Sequence, residues 1–203
     1  MKLKLEIYLK RYKNKIKRII HVNDNIKLKD FCEYSIVSMN GTGKHLYQLI
    51  LNEEYTYLGE SCERIYENEY FMKDLTLEDL DLCDTDKLLL NYDFKNDWDF
   101  IININKIEEG YFDRDFEVVS GYGCGILEDE YVSIDFREMT AKNLPESSRK
   151  FFSKVYPSFK NYDIHNFNVD SINMKIAEYK EFARELNKPK TDAKGIKWAY
   201  RKD

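Results

Sequence analysis

The sequence predicts an α+β protein: a mixed or antiparallel sheet with a β-grasp-like ββαββ start, a further hairpin, and C-terminal helices. Three patterns carry that expectation. Leu3, Leu5, Ile7 and Leu9 alternate with Lys4, Glu6, Tyr8 and Lys10, the period-two signature of a half-buried strand. Leu28, Phe31, Cys32, Ser35, Ile36 and Met39 recur at helical spacing. Leu88, Leu90, Tyr92 and Phe94 alternate up to a polar turn, and Trp98, Phe100, Ile102 and Ile104 alternate away from it.

In chain order, the basic turn Lys13-Asn14-Lys15 joins the first strand to a second around Ile16–Val22. Asn23-Asp24-Asn25 offers turn and N-cap chemistry before an amphipathic helix over 27–39. Gly41 is the expected C′ residue of that helix. Leu46–Leu51 and Tyr55–Leu58 read as two short strands, and residues 59–74 as irregular. Thr76 caps a short helix, with Asp79 at the capping-box position. A three-residue loop at Lys95-Asn96-Asp97, with Asn96 or Asp97 left-handed, places Phe94 opposite Trp98 and buries both apolar sets together. That register sets Asp93 beside Asp99, where like charges repel. Helices are expected over 147–156 and 171–187. The second has Ile172, Ile176, Tyr179, Phe182, Ala183 and Leu186 in one stripe and Asp170 or Ser171 as its cap. The domain expectation is an α+β unit over 1–140 and a helical extension with a basic tail over 141–203.

Composition narrows the class. Apolar residues make up 43% and charged residues 34% of 203, a balance that supports a packed core without disulfides or metals. Cys32, Cys62, Cys83 and Cys124 are widely spaced, which argues against a zinc knuckle and for reduced thiols in a cytoplasm. No apolar run approaches the ~18–20 residues that cross a bilayer. The net charge of −5 divides into blocks: net +7 over 1–52, −18 over 53–138 and +6 over 139–203. Such blocks suit a basic surface for nucleic acid beside an acidic one for a metal or a protein, or ends that fold back on the middle and neutralise it.

Three segments together resemble the plasmid pRiA4b open-reading-frame-three family, also known as a TnpR-named passenger of insertion elements. They are Lys15-Ile16-Lys17-Arg18-Ile19-Ile20 with a later His45-Leu46, Tyr92-Asp93-Phe94-Lys95-Asn96-Asp97-Trp98, and Gly121-Tyr122-Gly123-Cys124-Gly125-Ile126-Leu127-Glu128-Asp129. Lys17, Lys95 and Tyr131-Val132 depart from the family's usual tryptophan, turn glycine and paired glycines. The resemblance implies an α+β fold over roughly residues 3–135 and a bacterial, mobile-element setting. It implies no catalytic residues.

The candidate site residues are His45, Asp93, Asp97, Trp98, Asp99, Glu128 and Asp129. Asp93, Asp97 and Asp99 form an oxygen-rich set that suits Mg²⁺ or Mn²⁺, with His45 as a further donor. The glycines at 121, 123 and 125 read as a flexible or bulged crossing, because acidic residues follow where a phosphate loop needs a helix N-terminus. Two functions follow from these features. One is a binding or regulatory domain without a cofactor, meeting protein or nucleic acid through an exposed sheet face. The other is a divalent-metal-dependent hydrolase or nuclease built on the acidic cluster.

Overall fold

The computed structural model describes residues 1–59, 66–128 and 165–186, with positions 146, 150, 154 and 163. Strands β1 (Lys2–Leu9) and β2 (Lys17–Asn23) form the first hairpin through a 3-10 turn at Lys10–Tyr12. Helix α1 (Leu28–Ser38) follows, then β3 (Tyr47–Leu51), β4 (Tyr55–Leu58) and β5 (Glu69–Phe71). A second 3-10 turn at Glu78–Leu80 precedes β6 (Lys87–Tyr92), β7 (Trp98–Glu108) and β8 (Phe116–Tyr122). Helix α2 spans Val169–Leu186. The helix expected at 147–156, the basic tail and Asp129 fall outside the described residues, apart from positions 150 and 154.

All the strands join one eight-stranded sheet in the order β5-β4-β3-β6-β7-β1-β2-β8. Among the described residues only β4 and β5 run parallel, so the sheet is mixed as expected. Strand alternation sends Leu3, Leu5, Ile7 and Leu9 to the same face as Ile20, Val22, Leu49, Leu90, Phe100 and Ile102, all buried. Helix α1 covers that face, with Leu28, Phe31, Cys32 and Ile36 fully buried. Helix α2 packs beside it, where Tyr34 and Tyr179 meet edge to face.

Helix α1 ends one residue earlier than the sequence suggests. Asn40, not Gly41, takes the left-handed conformation at φ 70°. Asn40 N–H donates to Val37 O and Gly41 N–H to Ile36 O, the paired bonds of a Schellman motif. Glycine is needed at 41 for space, since a Cβ there would lie 2.6 Å from Ile36 Cγ2.

Helix α2 begins before its expected start, because Asn168 Oδ1 accepts Ser171 N–H at 2.8 Å and serves as the cap. Ile176 is its buried centre, with Ile172 and Tyr179 beside it. Phe182 is 60% exposed. It stands about 120° around the helix from Ile176, outside the inward stripe. Asn173 grips the outer edge of β8: its amide nitrogen donates to Val118 O and its oxygen accepts Val118 N–H, each at 2.9 Å. A side-chain amide thus occupies one position where another strand would pair.

The β6–β7 hairpin keeps the expected faces for its paired residues but not the expected register, and Phe94, expected in the buried set, lies in the loop and is 50% exposed. Tyr92 pairs with Trp98, Leu90 with Phe100 and Leu88 with Ile102, so the loop runs from Asp93 to Asp97. The expected pairing lies two residues further out. A two-residue slip leaves every side chain on its face, so the hydrophobic pattern does not distinguish the two. Turn geometry decides it. Asp93 and Asp97 are both left-handed, at φ 55° and 57°. Asp93 O accepts both Asn96 N–H and Asp97 N–H. Asp99 consequently faces Asn91, not Asp93.

Candidate functional site

The carboxylate of Glu128, whose side chain is only 5% exposed, meets four groups. Thr42 donates to it from its hydroxyl at 2.7 Å and also from its backbone N–H. The Tyr92 hydroxyl donates to Oε1, and His45 Nε2 lies 3.3 Å from the same oxygen. The Schellman turn at the end of α1 delivers Thr42 and His45 to this point. Strand β6 delivers Tyr92, whose ring sits edge-on to His45 at 5.8 Å. Burial, and then the bond to Glu128, holds the Tyr92 phenol well above its ordinary range. Near this cluster, on the same face, Tyr47 donates to Glu33 Oε1 at 3.1 Å. Glu33 is raised above the usual carboxyl range, chiefly by burial, against Lys29, Tyr47 and Tyr179. Buried carboxylates matched this closely by donors fix packing.

The hairpin carboxylates lie elsewhere. Asn91 donates from its amide to Asp97 Oδ1 and to Asp99 Oδ1, each at 2.8 Å. Lys10 Nζ donates to Asp99 Oδ2 at 2.8 Å, and that bond raises the Lys10 ammonium. Asp93 folds onto its own loop, accepting from the Asn96 amide at 2.6 Å and from Lys95 N–H. Asn91 and Tyr92 are adjacent in β6 and so point to opposite faces. Asp97 and Asp99 therefore sit across the sheet from His45 and Glu128. Trp98 packs against the core on the side of Tyr92. Among the described residues, no three His, Cys, Asp or Glu side chains are grouped to hold a metal ion.

The three glycines make a close backbone crossing. A Cβ would meet Lys17 O at 2.3 Å from Gly121, Lys15 O at 2.0 Å from Gly123 and Met39 O at 2.1 Å from Gly125. Gly123 and Gly125 also hold φ of 78° and 101°. Their function is close approach to the start of β2 and the end of α1. Ile126 N–H then donates to Met39 O at 2.8 Å, which brings Glu128 back to Thr42.

Sequence reasoning missed Thr42, Tyr92 and Asn91 as site residues, and Arg18 as a core residue. Arg18 is fully buried. Its guanidinium donates to Ser38 O, Lys17 O and Tyr122 O, each at 2.8 Å, and lies 4.9 Å from the Phe167 ring. The cation meets the carbonyl end of α1, where the helix dipole favours positive charge. Strand parity held the signal: Ile16, Arg18, Ile20 and Val22 share one face.

Both described helices leave the other sheet face uncovered. There Tyr8, Lys17 and Tyr122 form one cross-strand row over β1, β2 and β8. Lys13 Nζ stands 4.7 Å from the Tyr8 ring and Lys17 Nζ 5.3 Å from the Tyr122 ring. Further along, His21 stacks on Phe112 at 4.3 Å, with Lys2 Nζ 5.5 Å from that ring.

These features define an α+β protein with a two-helix covered face, a buried Glu128 network and, among the described residues, an open face of mixed charge. The chain belongs to the plasmid pRiA4b ORF-3-like protein family, whose sequence pattern matches residues 1–141. No curated protein matches it. A protein of unknown function from Methanosarcina mazei Go1 has a similar fold, with a TM-score of 0.64 and 18% identity over 84% of this chain and 96% of that one. Neither description names an activity. No described helix is long and apolar enough to cross a membrane.

Proposed function

We propose that this protein is a binding module without chemistry of its own, meeting its partner through the sheet face opposite α1 and α2. The observation that supports this most is the division of polar groups by the sheet. Glu128 and Glu33 accept bonds from protein donors on the covered face. On the open face Tyr8, Tyr122 and the hairpin lysines lie partly or fully exposed. The alternative, a Mg²⁺- or Mn²⁺-dependent hydrolase, would need His45 and Glu128 to act with Asp97 and Asp99 through the sheet.

The test is a photo-crosslinker, p-benzoylphenylalanine, placed at Lys4 on the open face or at Met174 on the outer side of α2. Both positions are exposed. In cells, adducts should form from position 4 and not from position 174. Adducts from position 174 alone, or from neither, would sink the proposal.

A further inference from the structure

We propose that the β1–β2 face binds single-stranded DNA, an inference that rests on the open-face reading above and names its partner. Charge complementarity comes first. Residues 1–18 contain Lys2, Lys4, Lys10, Arg11, Lys13, Lys15, Lys17 and Arg18 against Glu6 alone, in a chain of net charge −5. Positive charge is therefore concentrated in this hairpin although the chain as a whole is acidic. Some of it is already matched: Lys17 pairs with Glu6 at 3.2 Å, Lys10 pairs with Asp99, and Arg18 is internal. Arg11, Lys13 and Lys15 make no ion pair with the described residues and crowd the turn at one end of the face. They supply phosphate contacts.

Rings supply the rest. Tyr8 and Tyr122 flank Lys17 in one row, two strand spacings apart, which is about 10 Å. The Tyr122 hydroxyl donates to Lys13 O at 2.8 Å, which fixes that ring over the turn. The His21–Phe112 stack lies four residues along β2 from Lys17, about 13 Å away. Both ends of the face thus carry an aromatic platform with a lysine beside it, and a lysine that leaves a ring for a phosphate opens that ring to a base. Stacked bases and tracked phosphates are how sequence-tolerant proteins hold single strands. Rings on a sheet face stack on bases where these are already unstacked, as in a single strand. Ile101 is the direct β7 neighbour of Tyr8, and Ile19 lies diagonally beside it on β2. They offer apolar contact to a thymine methyl, which favours thymine over uracil. The acids on this part of the face are paired: Glu6 with Lys17, Glu117 with Arg114 and Glu108 with Lys106.

The experiment is fluorescence polarisation of the full chain with labelled oligothymidylate of about 15 nucleotides, with matched oligouridylate and duplex arms. Arg11→Glu/Lys13→Glu is compared with Lys44→Glu/Lys73→Glu, an equal charge change at exposed positions away from this face. Binding should favour oligothymidylate. It should weaken at least tenfold in the hairpin variant and less than twofold in the control. The salt slope should fall by about 1.4 in the hairpin variant, at about 0.7 for each phosphate that is no longer neutralised. Tyr122→Ala, which leaves the Tyr122 carbonyl in place for Arg18, should cost fivefold or more. No binding at low salt, equal loss in both charge variants, or tighter binding of duplex would overturn the proposal. Preference for oligouridylate would overturn the assignment to DNA. Protein adducts from position 4 alongside no oligonucleotide binding would keep the open-face reading and remove this one.

Discussion

Glu128 and Asp99 are both carboxylates that the sequence marks as one cluster, yet the sheet gives them opposite surroundings. Glu128 is nearly sealed, takes bonds from Thr42 and Tyr92, and has His45 Nε2 3.3 Å away. Asp99 shares the amide of Asn91 with Asp97 and pairs with a half-exposed Lys10. What separates them is the parity of β6, since Asn91 and Tyr92 cannot point the same way. The covered face uses its polar groups to hold the end of α1 and the chain at Glu128 to the sheet, and on the proposed reading the open face keeps its own for a partner.

Substitutions should grade along this divide. The largest effect is expected on the covered face, where Arg18→Met strands the carbonyls of Ser38 and Tyr122. A loss of about 3–5 kcal/mol is expected from urea unfolding. Gly125→Ala, which forces a Cβ against Met39 O at a left-handed φ, should cost about 2–4 kcal/mol by the same assay. Tyr92→Phe removes one donor from the Glu128 carboxylate and should cost about 1.5–3 kcal/mol.

Glu33 sharpens the comparison through pH. Its folded pKa is raised by burial, so its contribution is fully present below the unfolded value of about 4.3 and is lost as pH rises through the folded one. Unfolding measured across that window should show stability falling with pH in the parent and a flatter profile in Glu33→Gln. The smallest effect belongs to the open face: Asp99→Asn should stay within about 0.5 kcal/mol, because a surface ion pair is worth little. A large loss there, or none in Tyr92→Phe, would break the comparison.

Much of the fold was legible because alternation and helical spacing are local. Leu3–Leu9, Leu28–Met39 and Ile172–Tyr179 each announce their element. The register of β6–β7 was not legible, since Tyr92 opposite Trp98 and Phe94 opposite Trp98 bury the same faces until the loop dihedrals choose. Strand β5 was hidden because three residues, Glu69–Phe71, are too few to show a period. Half of the Glu128 site was visible, in His45 and Glu128 themselves. Thr42 and Tyr92 were not, because their meeting depends on the turn after α1 and the glycine crossing at 121–125, which joins groups 86 residues apart in sequence. Arg18 was readable from parity but looked like one more basic residue in a basic strand.

The most direct test is thermal unfolding of the parent, Glu128→Gln and Asp97→Asn/Asp99→Asn, each with and without Mg²⁺ and Mn²⁺. A chain of this size shifts by about 2–4 °C per kcal/mol, so a lost Glu128 network is easily seen. The account predicts a clear fall for Glu128→Gln, almost none for the aspartate pair, and the same order with either ion. A site-bound ion at about 100 times its dissociation constant would add about 2.7 kcal/mol. A rise of that size in the parent, absent in Asp97→Asn/Asp99→Asn, would make the hairpin a metal site and contradict the account.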